Sequence, residues 1–167
     1  MNRNTALRIG VIAAGLATFV AAGIAAAQSP PRVGSGDVFA DRVRLMKLNG
    51  ASLQDLQAKA KADAIEAIAV NAETIALNAM HIPLLFPPGS IPEKSRAKPA
   101  IWQRWAEFEA AAKNLQVQAE QLRHAARAKN AAAVQEQVKT FPKQACGTCH
   151  TARGDGTSFG PIFRGMQ

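Results

Sequence analysis

Tyrosine is missing from the 167 residues, aromatic side chains make up only 5 %, and basic residues nowhere form a run. A nucleic-acid platform needs a basic stripe with interleaved stacking rings, so no nucleic-acid partner is expected. The formal net charge of +8 points instead to a positive field that biases encounters with acidic protein surfaces. Strand-like alternation is also missing, which excludes a sheet protein and leaves helices. Beyond residue 24 no apolar run approaches the ~18 residues that could span a bilayer. Cysteine is scarce: the chain has two, three positions apart. A bridge closing so short a loop would constrain the unfolded chain little. Their role is therefore chemical rather than structural.

The opening segment reads as an address. Arg3 and Arg8 give a positive start, an apolar stretch runs from Ile9 to Ile24, and Ala25-Ala26-Ala27 offers the small residues a signal peptidase accepts. A retained anchor is the rival reading. The stretch is mostly Ala and Gly, however, and the polar Gln28-Ser29-Pro30-Pro31 follows at once. Residues 1–27 are expected to be a signal peptide, which makes the protein exported, periplasmic and without a membrane span after cleavage. The remaining 140 residues carry a net charge of +6 and suit one domain. That domain is assigned to 28–153, followed by an irregular tail, 154–167, with four Gly and one Pro.

Four helices follow from apolar spacing. The first runs from about Ser35 or Asp37 to Ala60, with Phe39, Val43, Met46, Gly50, Leu53 and Ala60 along one stripe. The second runs from about Ala62 to Ile82, with Ile65, Ile68, Ala72, Ile75, Ala79 and Ile82 in steps of three and four. The third, about Ala100 to Lys129, aligns Ile101, Trp105, Phe108, Ala112, Leu115, Ala119, Leu122 and Ala126. The fourth starts near Asn130 and carries Val134, Val138, Phe141 and Ala145 into the cysteine pair. Such narrow seams pack against one another in bundles. Short links make antiparallel neighbours, and the Pro-rich segment Pro83 to Pro99 is the single long connection. The expectation is an all-α, up-down-up-down antiparallel four-helix bundle. Pro142 should kink or restart the last helix, with Thr140 as a new cap.

The decisive run is Cys146-Gly147-Thr148-Cys149-His150. C-x-x-C-H is the attachment signature of c-type haem: each thiol adds to one vinyl group, and the adjacent imidazole is offered to the iron. One covalent haem c is expected, with Cys146 and Cys149 as its anchors and His150 as an axial ligand. A dithiol redox motif would expect a βαβ setting. A closed zinc site would need four ligands, and only His81 and His124 could join. The second axial position governs function, since a Met sulfur gives a six-coordinate iron suited to electron transfer. Met1 leaves with the leader; Met46 lies on the inward stripe, Met80 one place off its stripe, and Met166 in the tail. An inward Met can also be core filler. His81 reads as a loop anchor and His124 as solvated, while Trp102, Trp105 and Phe108 read as core or haem contacts.

With these residues in view, the chain resembles the cytochrome c′ family, in particular its low-spin members. The carriers are Arg42 to Gly50 on the first helix (Arg-Val-Arg-Leu-Met-Lys-Leu-Asn-Gly), Ile82 to Pro87 at the loop entrance, Ile101-Trp102, and the late C-x-x-C-H. The resemblance implies that Met46 is the sixth iron ligand where high-spin members place an apolar residue. It implies a haem propionate near Arg42. The family usually continues with an aromatic and a basic residue after the motif; here Thr151-Ala152-Arg153-Gly154 follows. The expected function is periplasmic electron transfer with redox partner proteins, without enzymatic activity. The alternative is a five-coordinate haem that binds nitric oxide or carbon monoxide. Nothing in the sequence decides between a monomer and a homodimer.

Overall fold

The computed structural model describes residues 34–151 and 158–161. The expected signal peptide, Arg153 and Met166 lie outside these. Among the described residues every regular element is helical. They comprise α1 (Val38–Lys61), α2 (Ile68–His81), a 3₁₀ turn at Pro83–Leu85, α3 (Ala100–Gln103), α4 (Trp105–Arg127), α5 (Ala131–Phe141), a π turn at Pro142–Cys146 and α6 (Gly147–His150). α2 packs on α1 and most extensively on α4, α4 packs on α5, and α5 returns to α1. These contacts close the ring of an antiparallel four-helix bundle.

α1 begins where the sequence offers a cap. The Asp37 carboxylate accepts from the backbone N–H of Phe39 and of Ala40, both at 3.0 Å, which satisfies two of the donors a helix start leaves open. Its end differs from the expectation of an almost immediate second helix. Asp63 adopts φ of 53°, and residues 62–67 form turns before α2 begins at Ile68. Ile65 nevertheless stays in the core from this turn, and all six residues of the α2 stripe are buried. Tertiary burial thus keeps the seam where helical hydrogen bonding has stopped.

The third helix is split at Arg104, which takes φ −130° and ψ 48° and separates α3 from α4 without moving the seam. In the last helix the Asn130 side chain accepts from Ala133 N at 3.1 Å and caps α5. Pro142 neither breaks the helix nor restarts it. The missing N–H is absorbed by a π turn in which Gly147 N donates to Pro142 O, a local widening common at functional sites. Thr140 does not cap a restart. Its hydroxyl donates back to Glu136 O at 3.0 Å and Gln137 O at 3.3 Å.

The Pro-rich connection is fixed at its entrance. Leu85 and Phe86 are buried, and Trp102 Nε1 donates to Phe86 O at 3.0 Å and Pro87 O at 3.2 Å. Arg42, itself buried, donates through Nε to Leu85 O, through Nη1 to Ser90 O, and through Nη2 to Ser90 Oγ. Its Cζ lies 4.1 Å from the centroid of the Phe86 ring, within cation–π range.

Candidate functional site

A cavity of about 490 Å³ opens between the N-terminal half of α1, the start of α4 and the end of the last helix. Its wall includes Phe39, Val43, Met46, Gly50 and Leu53 from α1, Ile75 and Ile82 from α2 and its end, and Phe108, Ala112 and Leu115 from α4. Cys146, Cys149 and His150 border the same space, as do Arg42 and the exposed Lys47, Lys94 and Arg96. A mostly apolar cleft with few polar groups, in the range of about 300–1,000 Å³, is the ordinary form of a cofactor site. The inward stripe read on α1 is therefore the cavity wall from Phe39 to Leu53. Its last member, Ala60, is buried in the core with Leu45 and Leu56.

The π turn and α6 present the attachment residues. Thr148 Oγ1 donates to Ala145 O at 2.7 Å, and Thr151 Oγ1 donates to Gly147 O at 2.5 Å, so the hydroxyls around the motif stay within the turn. Cys146 is half-buried. Burial, with the neighbouring Cys149 adding to it, pushes its thiol up to about 11. A dithiol oxidoreductase needs a depressed thiol pKa, so this environment opposes the redox-dithiol reading. Nor do the described residues include any group of three His, Cys, Asp or Glu side chains able to hold a metal ion.

The His150 ring is fixed by a hydrogen bond to a residue outside its helix. Its Nδ1–H donates to Pro161 O at 2.9 Å, which selects the tautomer that leaves the Nε2 lone pair to a metal. Burial lowers its pKa, the Pro161 contact opposes that shift, and Arg96 adds to it. Burial thus favours the neutral imidazole, the form that binds iron. Arg42 is a further polar residue on the cavity wall. It is a buried cation whose partners are all neutral oxygens, desolvation lowers its pKa, and no carboxylate among the described residues pairs with it. A buried charge beside a cavity suits an anionic ligand group. Thiols, a tautomer-fixed imidazole, apolar walls and a buried guanidinium together fit a covalently bound haem.

A sequence model of the cytochrome c′ family matches residues 37–152. The chain belongs to the cytochrome c′ family. Among solved structures it is similar to cytochrome c′ from Rubrivivax gelatinosus, with 25 % identity and a TM-score of 0.60, over 69 % of this chain and 92 % of that one. No curated protein sequence matches. Membership makes the protein a c-type cytochrome with one covalent haem c, and Cys146 and Cys149 fit the attachment motif of that family.

Of the residues singled out in the sequence, Arg42, Met46, Cys146, Cys149 and His150 all reach this one cavity. Met80 is 54 % exposed on α2 and stays outside it. His81 is also outside, with Nδ1 2.8 Å from Leu77 O, and His124 is exposed next to Arg123. Trp102 anchors the loop through its indole N–H, and Phe108 lines the cavity. The residues that sequence reasoning missed are in the tail. Ser158 and Phe159 are buried, with Phe159 1 % exposed. Phe159, Gly160 and Pro161 border the cavity beside His150. The available signal was an aromatic and apolar run, Phe159 to Phe163, inside an otherwise polar, Gly-rich segment.

Proposed function

We propose that the protein is a periplasmic electron carrier whose haem iron is ligated by His150 and Met46, with Cys146 and Cys149 as the thioether anchors. Residues 1–27 act as the signal peptide in this reading, and the domain assigned to 28–153 is completed by residues 159–161, which border its cavity. The observation that carries it is that Met46, from α1, and His150, from α6, border the same cavity. When bound, the haem supplies a one-electron couple at its iron. The chain's own residues do the rest. His150 offers a neutral nitrogen held by Pro161, and Met46 offers a thioether that favours the reduced state. The apolar α1 and α4 walls exclude water, and Arg42 supplies a buried positive charge toward an anionic edge. Lys47, Lys94 and Arg96, exposed around the cavity, suit an acidic redox partner. A carrier of this kind has no substrate of its own.

The comparisons alone favour a second reading. Cytochrome c′ proteins often keep a five-coordinate iron, which binds nitric oxide or carbon monoxide, and what speaks against it here is the identity of residue 46. Absorption spectra separate the two. The electron-carrier reading expects a low-spin ferrous spectrum unchanged by carbon monoxide, and a Met46→Leu protein that turns high-spin and responds to the gas. A wild-type spectrum that is already high-spin and shifts with carbon monoxide establishes the gas-binding reading in its place.

A further inference from the structure

The tail segment beside His150 is tied down more firmly than a chain end needs to be. Phe159 N and Gly160 N both donate to Cys149 O, at 3.2 and 3.3 Å, and Lys98 N donates to Phe159 O at 3.0 Å. The segment is thereby laced to the attachment turn on one side and to the Pro-rich connection on the other. The Phe159 ring is buried edge-on against Phe108 of α4, with centroids 5.5 Å apart. Ordering an irregular segment costs backbone entropy at every residue, and the burial of Phe159 offsets part of that. What the ordering accomplishes is local. A Cβ placed on Gly160 would lie 3.3 Å from His150 Cε1 and 3.4 Å from Nδ1, so this backbone lies flat along one edge of the imidazole. The next residue brings its carbonyl to Nδ1.

We propose that Phe159, Gly160 and Pro161 form a clip that positions the haem-ligating imidazole: Phe159 is the anchor, Gly160 permits the close approach, and the Pro161 carbonyl takes the Nδ1 proton's hydrogen bond. The clip rests on the ligation of iron by His150. It fixes the ring's tautomer and rotation from outside the helix, so the orientation of the ligand does not depend on the four-residue α6 alone. A carbonyl at Nδ1–H also makes the imidazole a stronger donor, which favours ferric iron. These three are positioning residues, because the iron is reached only through His150.

The test uses the haem-loaded protein labelled with ¹⁵N in its histidines, and follows exchange of the His150 ring proton together with the reduction potential. In the wild type the proton sits on Nδ1 and exchanges slowly. Gly160→Ala pushes the ring from the carbonyl, and exchange is expected to accelerate about tenfold, as for one lost hydrogen bond in a dry site, with the potential rising. Pro161→Ala keeps the backbone carbonyl and is expected to stay within about twofold of wild type. Deleting residues 158–167 should reproduce the Gly160→Ala result, and Gly160→Ala carries the test where the deletion does not fold. Equal exchange and equal potential in wild type and Gly160→Ala overturn the clip while leaving ligation standing. A ring proton on Nε2, or an iron without an imidazole ligand, overturns the ligation reading itself.

Discussion

The two ends of this bundle are built from the same helices and solve different problems. At one end Leu56 of α1, Ile68 of α2, Leu122 and Ala126 of α4 and Val134 of α5 are completely buried against each other. At the other, α1 turns Val43 and Met46 toward a cavity that α4 and the attachment turn complete. Helical periodicity does not distinguish the ends, because both put an apolar residue at every third or fourth place. What differs is what faces the stripe. At the closed end it meets branched aliphatic side chains that fill the space. At the open end Ala111, Ala112 and Ala145 lie among larger residues such as Phe108 and Leu115, and their short side chains leave room for a large flat group. One end carries the stability and the other carries the chemistry.

That division can be broken by truncating one residue at each end. Leu122→Ala removes a fully buried side chain from the closed end and is expected to cost about 2–5 kcal/mol, read as a lower urea midpoint with an unchanged slope. Met46→Ala at the open end leaves the packing of the closed end untouched and should instead change the spectrum, because it removes the sulfur proposed as the second iron ligand. The division fails if Leu122→Ala alters the haem spectrum as much as Met46→Ala does.

Legibility in the sequence follows the same boundary. The α2 stripe was readable residue by residue, since all six of its positions are buried, and the attachment motif gave three of the cavity's polar residues from one pentapeptide. The stripe on α1 was readable as a face, but whether a face meets side chains or a cofactor depends on the opposing helix. The Pro142 π turn was beyond reach, because a missing N–H can be met by a break, a kink or a widened turn, and packing around the attachment site selects among them. Phe159 shows a different limit. Its partner, Phe108, is 51 positions earlier, and periodicity carries no information about a single long-range contact.

Arg42 sharpens the comparison because it stands at the join, serving the loop with its hydrogen bonds and the cavity with its charge. Arg42→Met keeps the apolar stem and deletes both. Losing these donors leaves the buried Leu85 O and the part-buried Ser90 acceptors unpaired, with an expected cost of about 1–3 kcal/mol, and limited proteolysis should find the Pro83–Pro99 connection more readily. Arg42→Lys retains the charge but not the three-way fork. If charge is what the cofactor's edge requires, Lys rescues the spectrum but not the protease resistance; if Arg42 only anchors the loop, Lys and Met leave the same spectrum.

The smallest effect expected is on pH dependence, and it comes from the start of α1. Asp41 is buried, which by itself raises its pKa. The Ser35 amide at 2.7 Å, the Ser35 hydroxyl and Arg44 at 2.6 Å outweigh this and leave the carboxyl below its usual value. Its position in the first turn of the helix adds a favourable dipole. A carboxyl whose folded pKa is depressed stabilises the protein above its unfolded pKa of about 3.9, and loses that contribution as pH falls through the lower folded value. Urea midpoints of wild type and Asp41→Asn should therefore differ at neutral pH and converge as the solution is taken below pH ~3.9. Gly34 offers an independent handle on the same group. It has φ of 90°, and a Cβ there would lie 2.2 Å from the Asp41 carboxylate, so Gly34→Ala should remove the same pH-dependent stabilisation without touching the charge. If the Gly34→Ala midpoint keeps the wild-type pH dependence, the depression of the Asp41 pKa does not come from the Ser35 contacts.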